Sequence, residues 1–280
     1  AEFLEIYGLP VRLGKYPAGA SDKEKTTLLN ALVGIGHNAA GLIPESGIDV
    51  TQDTRLVVQN ALLFAASWDS PFKTEDTSQE DFTLAGGKTV KADLMHDTRS
   101  IPYATGKGWA AVRLHYAGEE ENSDGSQLAL DVVLPDAGTL PGTMDAGTGA
   151  AASKSLDSAK AREVTLALPK LDLTSQPKEL LDFLKEQGLK PEGLDKIAPE
   201  LALTQVVQQI RLILDEEGTV AAALSEGQAA AMAAPAEQTK PVEFTVDHPY
   251  VLRLRDLTSG TALLESAIMD PTVKEISGSA

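Results

Sequence analysis

Cysteine is absent from the 280 residues. No disulfide staples the chain, and no thiolate serves as nucleophile or metal ligand. Histidine is scarce. His37, His96, His115 and His248 lie far apart, with no HExxH pair, and no calcium-loop pattern occurs, so no dedicated metal site is expected. Basic residues are few: Lys and Arg number 24 against 41 Asp and Glu, a net charge of −17. Phosphate backbones and anionic lipids repel such a chain, so neither nucleic acid nor a membrane surface is an expected partner. No apolar run approaches the roughly 20 residues of a membrane-spanning helix. No GxSxG occurs, which excludes the nucleophile-elbow hydrolases. Ser175 and Lys178 fit S-x-x-K, but no SDN or KTG element supports them, and Lys88-Thr89 runs into Val90. Glu119, Glu120 and Glu121 sit in a polar loop and read as a solvated face. No glycine-rich loop cradles a phosphate. The chain is therefore not read as an enzyme, and no cofactor is expected. It opens AEFLEIYG without an initiating methionine, which leaves targeting unreadable.

What remains is an ordinary globular balance, with 42% hydrophobic and 23% charged residues, which argues against disorder throughout. Residues 1–20 read as the tail of a helix (FLEIY) followed by a short extended piece. Residues 22–36 carry apolar positions at helical spacing. The segment 54–68 is long and mostly apolar, and reads as a central strand buried on both faces. Short strands follow at 82–84 and 89–96. WAAVRLHY (109–116) and LALDVVLP (128–135) read as an antiparallel pair around an acidic loop. Weak helical patterning marks 136–160. A strand spans 162–175 with a break at Pro169, and a short amphipathic helix spans 178–188, ended by Gly188. Residues 206–219 read as one long strand. Two final strands, 250–257 and 262–270, are joined by a TSG turn. The fold class is α+β, strand-dominated, with few helices.

One segment stands apart. From Val220 to Ala236 nine of 17 residues are Ala, with Glu226 the single charge. A plain linker fits the composition. A helix fits the propensity of Ala, but Gly227 and Pro235 interrupt it. A third reading is a strand held in reserve. Thr219, Ala221, Ala223, Ser225, Gly227 and Ala229 alternate as small uncharged residues, and a strand places alternate residues on one face. Such a face fits between two existing strands over a packed core, with Glu226 left on the outer side.

EEGTVAAALS at 216–225 resembles the reactive-loop hinge of the serpins. NALLFAASWDSPF (60–72), followed by EDT (75–77), is similar to the family motif Asn-Ala, two apolar residues, then Phe-x-x-x-Trp-x-x-Pro-Phe. GGKTVKADLMH (86–96), VVLPDAGTL (132–140), VTLALPKLDL (164–173) and VDHPYVLRLRDLTSGTALLESAIMDPT (246–272) resemble later family strands, in the family's order. The resemblance covers roughly 50–275. It implies a single, N-terminally truncated serpin domain over 1–280: mixed and antiparallel sheets, helices on one side, and a hinge with an exposed reactive-centre loop at 216–236. A complete member carries further helices and strands before this point.

The resemblance also implies roles. Glu216, Glu217, Gly218, Thr219, Val220, Ala221, Ala222 and Ala223 form the hinge. Lys170 and Glu216 pair at the top of the main sheet beside Trp68, in the region called the breach. Asn60 is a buried polar residue at the sheet opening, the shutter, where Gln208 takes the place of a family His. Fourteen residues beyond Gly218 lies Met232, which sets the reactive bond at Met232–Ala233, in a register open by a few residues. Val220, Leu224, Ser266 and Tyr250 also depart from the family pattern. The implied activity is inhibition of a serine protease by loop cleavage, acyl-enzyme trapping and loop insertion. No Arg or Lys lies between Gly218 and Gln238, which points to an elastase-, chymotrypsin- or subtilisin-like partner rather than a trypsin-like one. An extracellular or cell-envelope setting is expected. An inert relative and a strand-rich binding module with an Ala-rich linker remain the alternatives. If the truncation leaves the underside of the main sheet bare, the 280-residue chain is poorly soluble or oligomeric. A sharp monomer peak in size-exclusion chromatography would contradict this.

Overall fold

A computed structural model describes residues 2–6, 9–13, 66–117, 128–175, 178–192, 202–204, 206–208, 211–219, 240–273 and 275–276. The chain divides into two compact units, one built from 1–63, 174–211 and 276–280, the other from 64–173 and 212–275.

The first strands, β1 (Glu2–Ile6) and β2 (Leu9–Leu13), pair antiparallel with Glu2 opposite Leu13. This corrects the helical reading of FLEIY. So short a segment cannot offset the cost of helix nucleation, whereas pairing satisfies its backbone groups. The helix expected at 22–36 lies outside the described residues. Of the strand expected over 54–68, β3 (Ala66–Ser67) is the described part. Then follow β4 (Ser78–Thr83), β5 (Thr89–Gly106), β6 (Trp109–His115) and β7 (Leu128–Pro135). Helix α1 (Thr148–Asp157) precedes β8 (Ala161–Pro169) and β9 (Leu171–Ser175), which break at Lys170. The expected helix at 178–188 is shorter: β10 (Lys178–Glu179) comes first, and α2 spans Leu181–Glu186. Gly188 then adopts a φ of 97°, the left-handed conformation that ends helices.

Of the single strand expected over 206–219, the described parts are β11 (Val207–Gln208), β12 (Arg211–Leu214) and β13 (Gly218–Thr219). The chain reverses between β12 and β13, which pair antiparallel with Leu214 opposite Thr219. The last strands are β14 (Val242–Thr245), β15 (Tyr250–Asp256), β16 (Thr261–Ile268) and β17 (Glu275–Ile276).

Among the described residues the larger sheet has eight strands, in the order β14-β8-β5-β6-β7-β15-β16, with β4 also on β5. β14 runs parallel to β8, and the other described pairings of this sheet are antiparallel. β5 is 18 residues long because it serves two sets of partners. Its Leu94–Pro102 stretch pairs with β8, and from Tyr103 it pairs with β6. Pro102, which has no N–H to give, sits at the changeover. The expected pair at 109–116 and 128–135 is present, from Trp109 opposite Pro135 to His115 opposite Ala129. A second sheet has five strands, β17-β9-β12-β13-β3. The main core includes Phe82, Leu94, Met95, Leu114, Leu166, Leu214 and Leu252, all essentially inaccessible. Tyr250, noted above as a departure, is fully buried with its ring edge-on to Phe82, and its hydroxyl has no hydrogen-bond partner among the described residues.

Helix α1 presents Gly149, Ala152, Ser153 and Leu156, spaced at the helical period, to the sheet. Ala152 and Leu156 pack with Trp109, Ala111, Val133 and Val251. Beneath the helix runs a row of alternating charges, one per strand: Arg113 opposite Asp131, Asp131 opposite Arg253, and Arg253 opposite Glu265. Arg113 donates to both Asp131 oxygens at 2.6 and 2.9 Å, to Asp157 at 2.9 Å and to the Ser153 carbonyl. Arg253 donates to Glu265 at 2.7 Å and to the Ser153 hydroxyl, and Arg255 reaches Asp157 at 2.8 Å. Burial works against the charge of Arg113, but Asp131 and Asp157 outweigh it and raise its pKa. Removing one member strands the others. Asp131→Ala is expected to destabilise the protein by about 3–5 kcal/mol, read as a lower urea midpoint, because Arg113 stays buried without its bidentate partner. An unchanged midpoint would deny the row its structural role.

Candidate functional site

Where the two sheets are linked, β3 is followed directly by Trp68, which is 2% exposed. Trp68 bridges to Tyr116 just beyond β6, and the rings stack with centroids 4.6 Å apart and planes 12° apart. Asp69 N–H donates to the His115 carbonyl, and Ala117 N–H to the Ser67 carbonyl. Phe72 packs edge-on against Trp68 at 6.4 Å.

The reversal after β12 is built against this aromatic wall. Asp215 Oδ1 accepts the backbone N–H groups of Glu217 and Gly218 at 3.0 and 3.1 Å, while Asp215 N–H donates to the Gly218 carbonyl. A short acidic side chain that bonds the backbone two and three residues on is a recurrent way to turn a chain. The wall grips the turn from outside. The Trp68 indole N–H donates to the Asp215 carbonyl at 2.9 Å. The backbone N–H groups of Trp68 and Phe72 donate to the Glu217 and Glu216 carbonyls, both at 2.8 Å.

Glu216 is buried within the turn, and both its carboxylate oxygens are engaged. Lys170 Nζ lies 2.7 Å from Oε2, and the Thr77 hydroxyl donates to Oε1 at 2.8 Å. Lys170 is itself placed by its N–H, which donates to the Asp93 carbonyl. Burial alone pushes the Glu216 carboxyl up. The Lys170 and Thr77 hydrogen bonds, a backbone N–H and the lysine charge together hold it below its ordinary value.

β13 then enters the five-stranded sheet between β12 and β3, antiparallel to both, with Gly218 opposite Ser67 and Thr219 opposite Ala66. A side chain at Gly218 would collide with the Ala66 carbonyl oxygen. Thr219 is buried, and its hydroxyl lies 2.6 Å from the Tyr116 hydroxyl. The turn and strand thus bring together Trp68, Lys170, Glu216, Gly218 and Thr219. Glu217 is exposed and contributes backbone contacts. Gln208 pairs with Lys178 through the backbone. Val220, Ala221, Ala222, Ala223, Met232, Ala233 and Asn60 lie outside the described residues. Sequence reasoning gave no role to Thr77, Tyr116 or Asp215. Thr77 stood within the EDT motif, and Tyr116 closed a strand already read.

The family model for Serpin (serine protease inhibitor) matches residues 35–271. The chain belongs to the serpin family. A serpin-like protein of Thermococcus kodakarensis is 32% identical over 228 residues, covering 78% of this chain and 50% of that protein. Alpha-1-antiproteinase 2 of Equus caballus is 28% identical over 236 residues, covering 81% and 52%. The chain therefore spans about half the length of these serpins. Among solved structures, the thermophilic serpin Tengpin in its native state superposes with a TM-score of 0.71 at 18% identity, over 89% of this chain and 64% of that one. A serpin from Schistosoma haematobium gives 0.67 at 23% identity, over 89% and 64%. The serpin-like α+β fold with mixed sheets follows from this likeness. A second family model, the portal protein of Mu bacteriophage, matches residues 1–55. The Mu-like prophage FluMu protein gp29 of Haemophilus influenzae is 77% identical over 135 residues, 48% of this chain and 24% of that protein.

A carboxyl whose pKa is lowered on folding stabilises the fold above its unfolded value and loses that contribution as pH falls through the folded value. The Glu216 clamp is thus expected to hold above the ordinary glutamate value of 4.5 and to weaken below it. Urea midpoints measured from pH 7 to pH 3 should fall less steeply in Glu216→Gln than in the parent. Parallel curves would remove Glu216 from the acid response.

Proposed function

We propose that this chain inhibits a serine protease by offering the 220–236 segment as a substrate and then taking it up as a sheet strand. The observation that carries this reading is the position of Gly218 and Thr219. They are already a strand between β12 and β3, antiparallel to both, and the chain that follows them is the Ala-rich segment. Thr219 faces inward, and the small uncharged residues at 221, 223, 225, 227 and 229 share its parity.

In this reading the protease serine attacks the Met232 carbonyl. An ester forms to Met232, the Met232–Ala233 peptide bond breaks, and Ala233 leaves as a free amine. The freed segment extends β13 residue by residue into the sheet and carries the bound protease away before water reaches the ester. The inhibitor is consumed and acts as a trap, not as a catalyst. The driving force is the gain of a central strand, and a kinetic barrier preserves the uncut form. The absence of Arg and Lys between Gly218 and Gln238 favours an elastase-, chymotrypsin- or subtilisin-like target. Such a target suits an extracellular or cell-envelope setting. Val220, Leu224 and Gln208 depart from the family pattern and favour a second reading, a non-inhibitory serpin whose loop is cut without trapping.

The test is intact mass spectrometry after mixing the chain with pancreatic elastase. The expected products are a covalent adduct and a released peptide beginning at Ala233. Cleavage within 220–236 without an adduct would establish the non-inhibitory reading. In Thr219→Arg a charge would have to enter a buried site, at a cost of several kcal/mol, so adduct should fall at least about tenfold while cleavage persists. Undiminished adduct in Thr219→Arg would refute insertion as the trapping step.

A further inference from the structure

The Trp68–Tyr116 stack does more than wall the turn. Tyr116 directly follows β6, a strand of the eight-stranded sheet, whereas Thr219 is in the five-stranded sheet. Their hydroxyls meet at 2.6 Å in a buried setting, across 103 residues of sequence. Tyr116 has little freedom to follow a shifted strand. Its ring is stacked on Trp68, its backbone N–H donates to the Leu128 carbonyl, and its neighbours are tied to Ser67 and Asp69. The hydroxyl is therefore a fixed reference point, delivered from one sheet into the strand position of the other.

We propose that the Tyr116 hydroxyl is a positioning group that sets the register of the entering strand by holding the Thr219 hydroxyl. Strand register is a two-residue alternation, so a slip of one residue turns every later side chain to the wrong face. A slip at this point would carry Val220, Ala222, Leu224 and Glu226 inward and the small residues outward. The backbone ladder alone tolerates either choice, because its N–H and C=O groups are alike at every residue. The absence of a side chain at Gly218 lets the strand approach β3 closely, and the hydroxyl pair fixes which residue follows. The pair thereby decides whether the cut loop goes in correctly on the first attempt.

This inference rests on the loop-insertion reading, and the test separates the two. The full chain is made with Trp109→Phe, so that Trp68 alone reports, and carries in turn Tyr116→Phe, Thr219→Val, Thr219→Ser and the pair Tyr116→Phe/Thr219→Val. Each is nicked with pancreatic elastase. The measurements are the rate of the Trp68 fluorescence change, the adduct-to-cleaved ratio and the melting temperature before and after nicking. Tyr116→Phe and Thr219→Val should each slow the fluorescence change and lower the adduct ratio by about tenfold, as expected for losing one buried hydrogen bond. The pair should be no worse than either single variant. Thr219→Ser, which keeps the hydroxyl, should behave as the parent. Additive losses, or parental rates in both single variants, would overturn this Tyr116–Thr219 hydroxyl latch. If the parent forms no adduct but still gains melting temperature on nicking, trapping fails while insertion stands. The latch is then judged on rate and melting temperature alone. If nicking leaves the parent's melting temperature unchanged, loop insertion fails and the latch falls with it.

Discussion

The reversal of the chain at Asp215 is the constraint on which the functional region depends. One carboxylate oxygen takes two consecutive backbone N–H groups and bends the chain back, so that Gly218 and Thr219 enter the sheet instead of continuing away from it. An Asx-type turn alone is weak and local. Here it is made specific by Trp68, whose indole and backbone N–H groups both donate to the turn, and by the Phe72 N–H, which donates to the Glu216 carbonyl. The aromatic wall acts through hydrogen bonds as much as through buried area. Each turn carbonyl that the reversal would leave bare has a donor waiting for it, as buried backbone groups require.

The ion pair at Glu216 plays a different part. Lys170 is partly exposed, and a pair of that kind contributes about 0–1 kcal/mol. Its effect lies in direction. With Lys170 on one oxygen and Thr77 on the other, the carboxylate is fixed in orientation and the turn is held in one form. The row of charges under α1 is a separate case, because Asp131 and the three arginines are buried and nearly every member has two partners. Three arginines face Asp131, Asp157 and Glu265, so the row is neutral as a whole and costly only when broken. The protein thus uses one ionic cluster to hold a helix on a sheet and another to orient a turn.

Much of this was legible in the residues. The β6–β7 pair follows from two short strand-like runs on either side of an acidic loop. The resemblance placed Lys170, Glu216 and Trp68 together before any geometry was known. The reversal at 215–218 was not legible, because VVQQIRLIL reads as a strand that simply continues. Its interruption depends on one side chain bonding two and three residues ahead. Thr77 and Tyr116 were present in recognisable segments but reach their partners across 139 and 103 residues, a distance at which sequence pattern carries no information about contact. Arg113, Asp131 and Arg253 were visible as charges inside apolar strands. What made them a row was the register of three strand pairings, and register appears only when the sheet is assembled. FLEIY does not distinguish helix from strand, because five residues of mixed apolar pattern fit either period.

The strand position taken by Gly218 and Thr219 also explains why these two residues differ so much in kind. Gly218 sits where any Cβ would strike the Ala66 carbonyl oxygen, so the first residue of the entering strand must have no side chain. The second must have one, because the buried site opposite offers the Tyr116 hydroxyl. A hydroxyl is the smallest group that can answer it, and threonine supplies the β-branching that suits an extended backbone. Beyond Thr219 the residues of the same parity at 221, 223, 225, 227 and 229 are Ala, Ser and Gly, small side chains with little to offer a partner. Among the described residues, the specific contacts of the segment fall on Gly218 and Thr219. On the insertion reading proposed above, a strand first presented outside the sheet and later taken into it needs this distribution. Strong contacts at its start would fix where it enters, and small side chains along its length would give it little to break before it does.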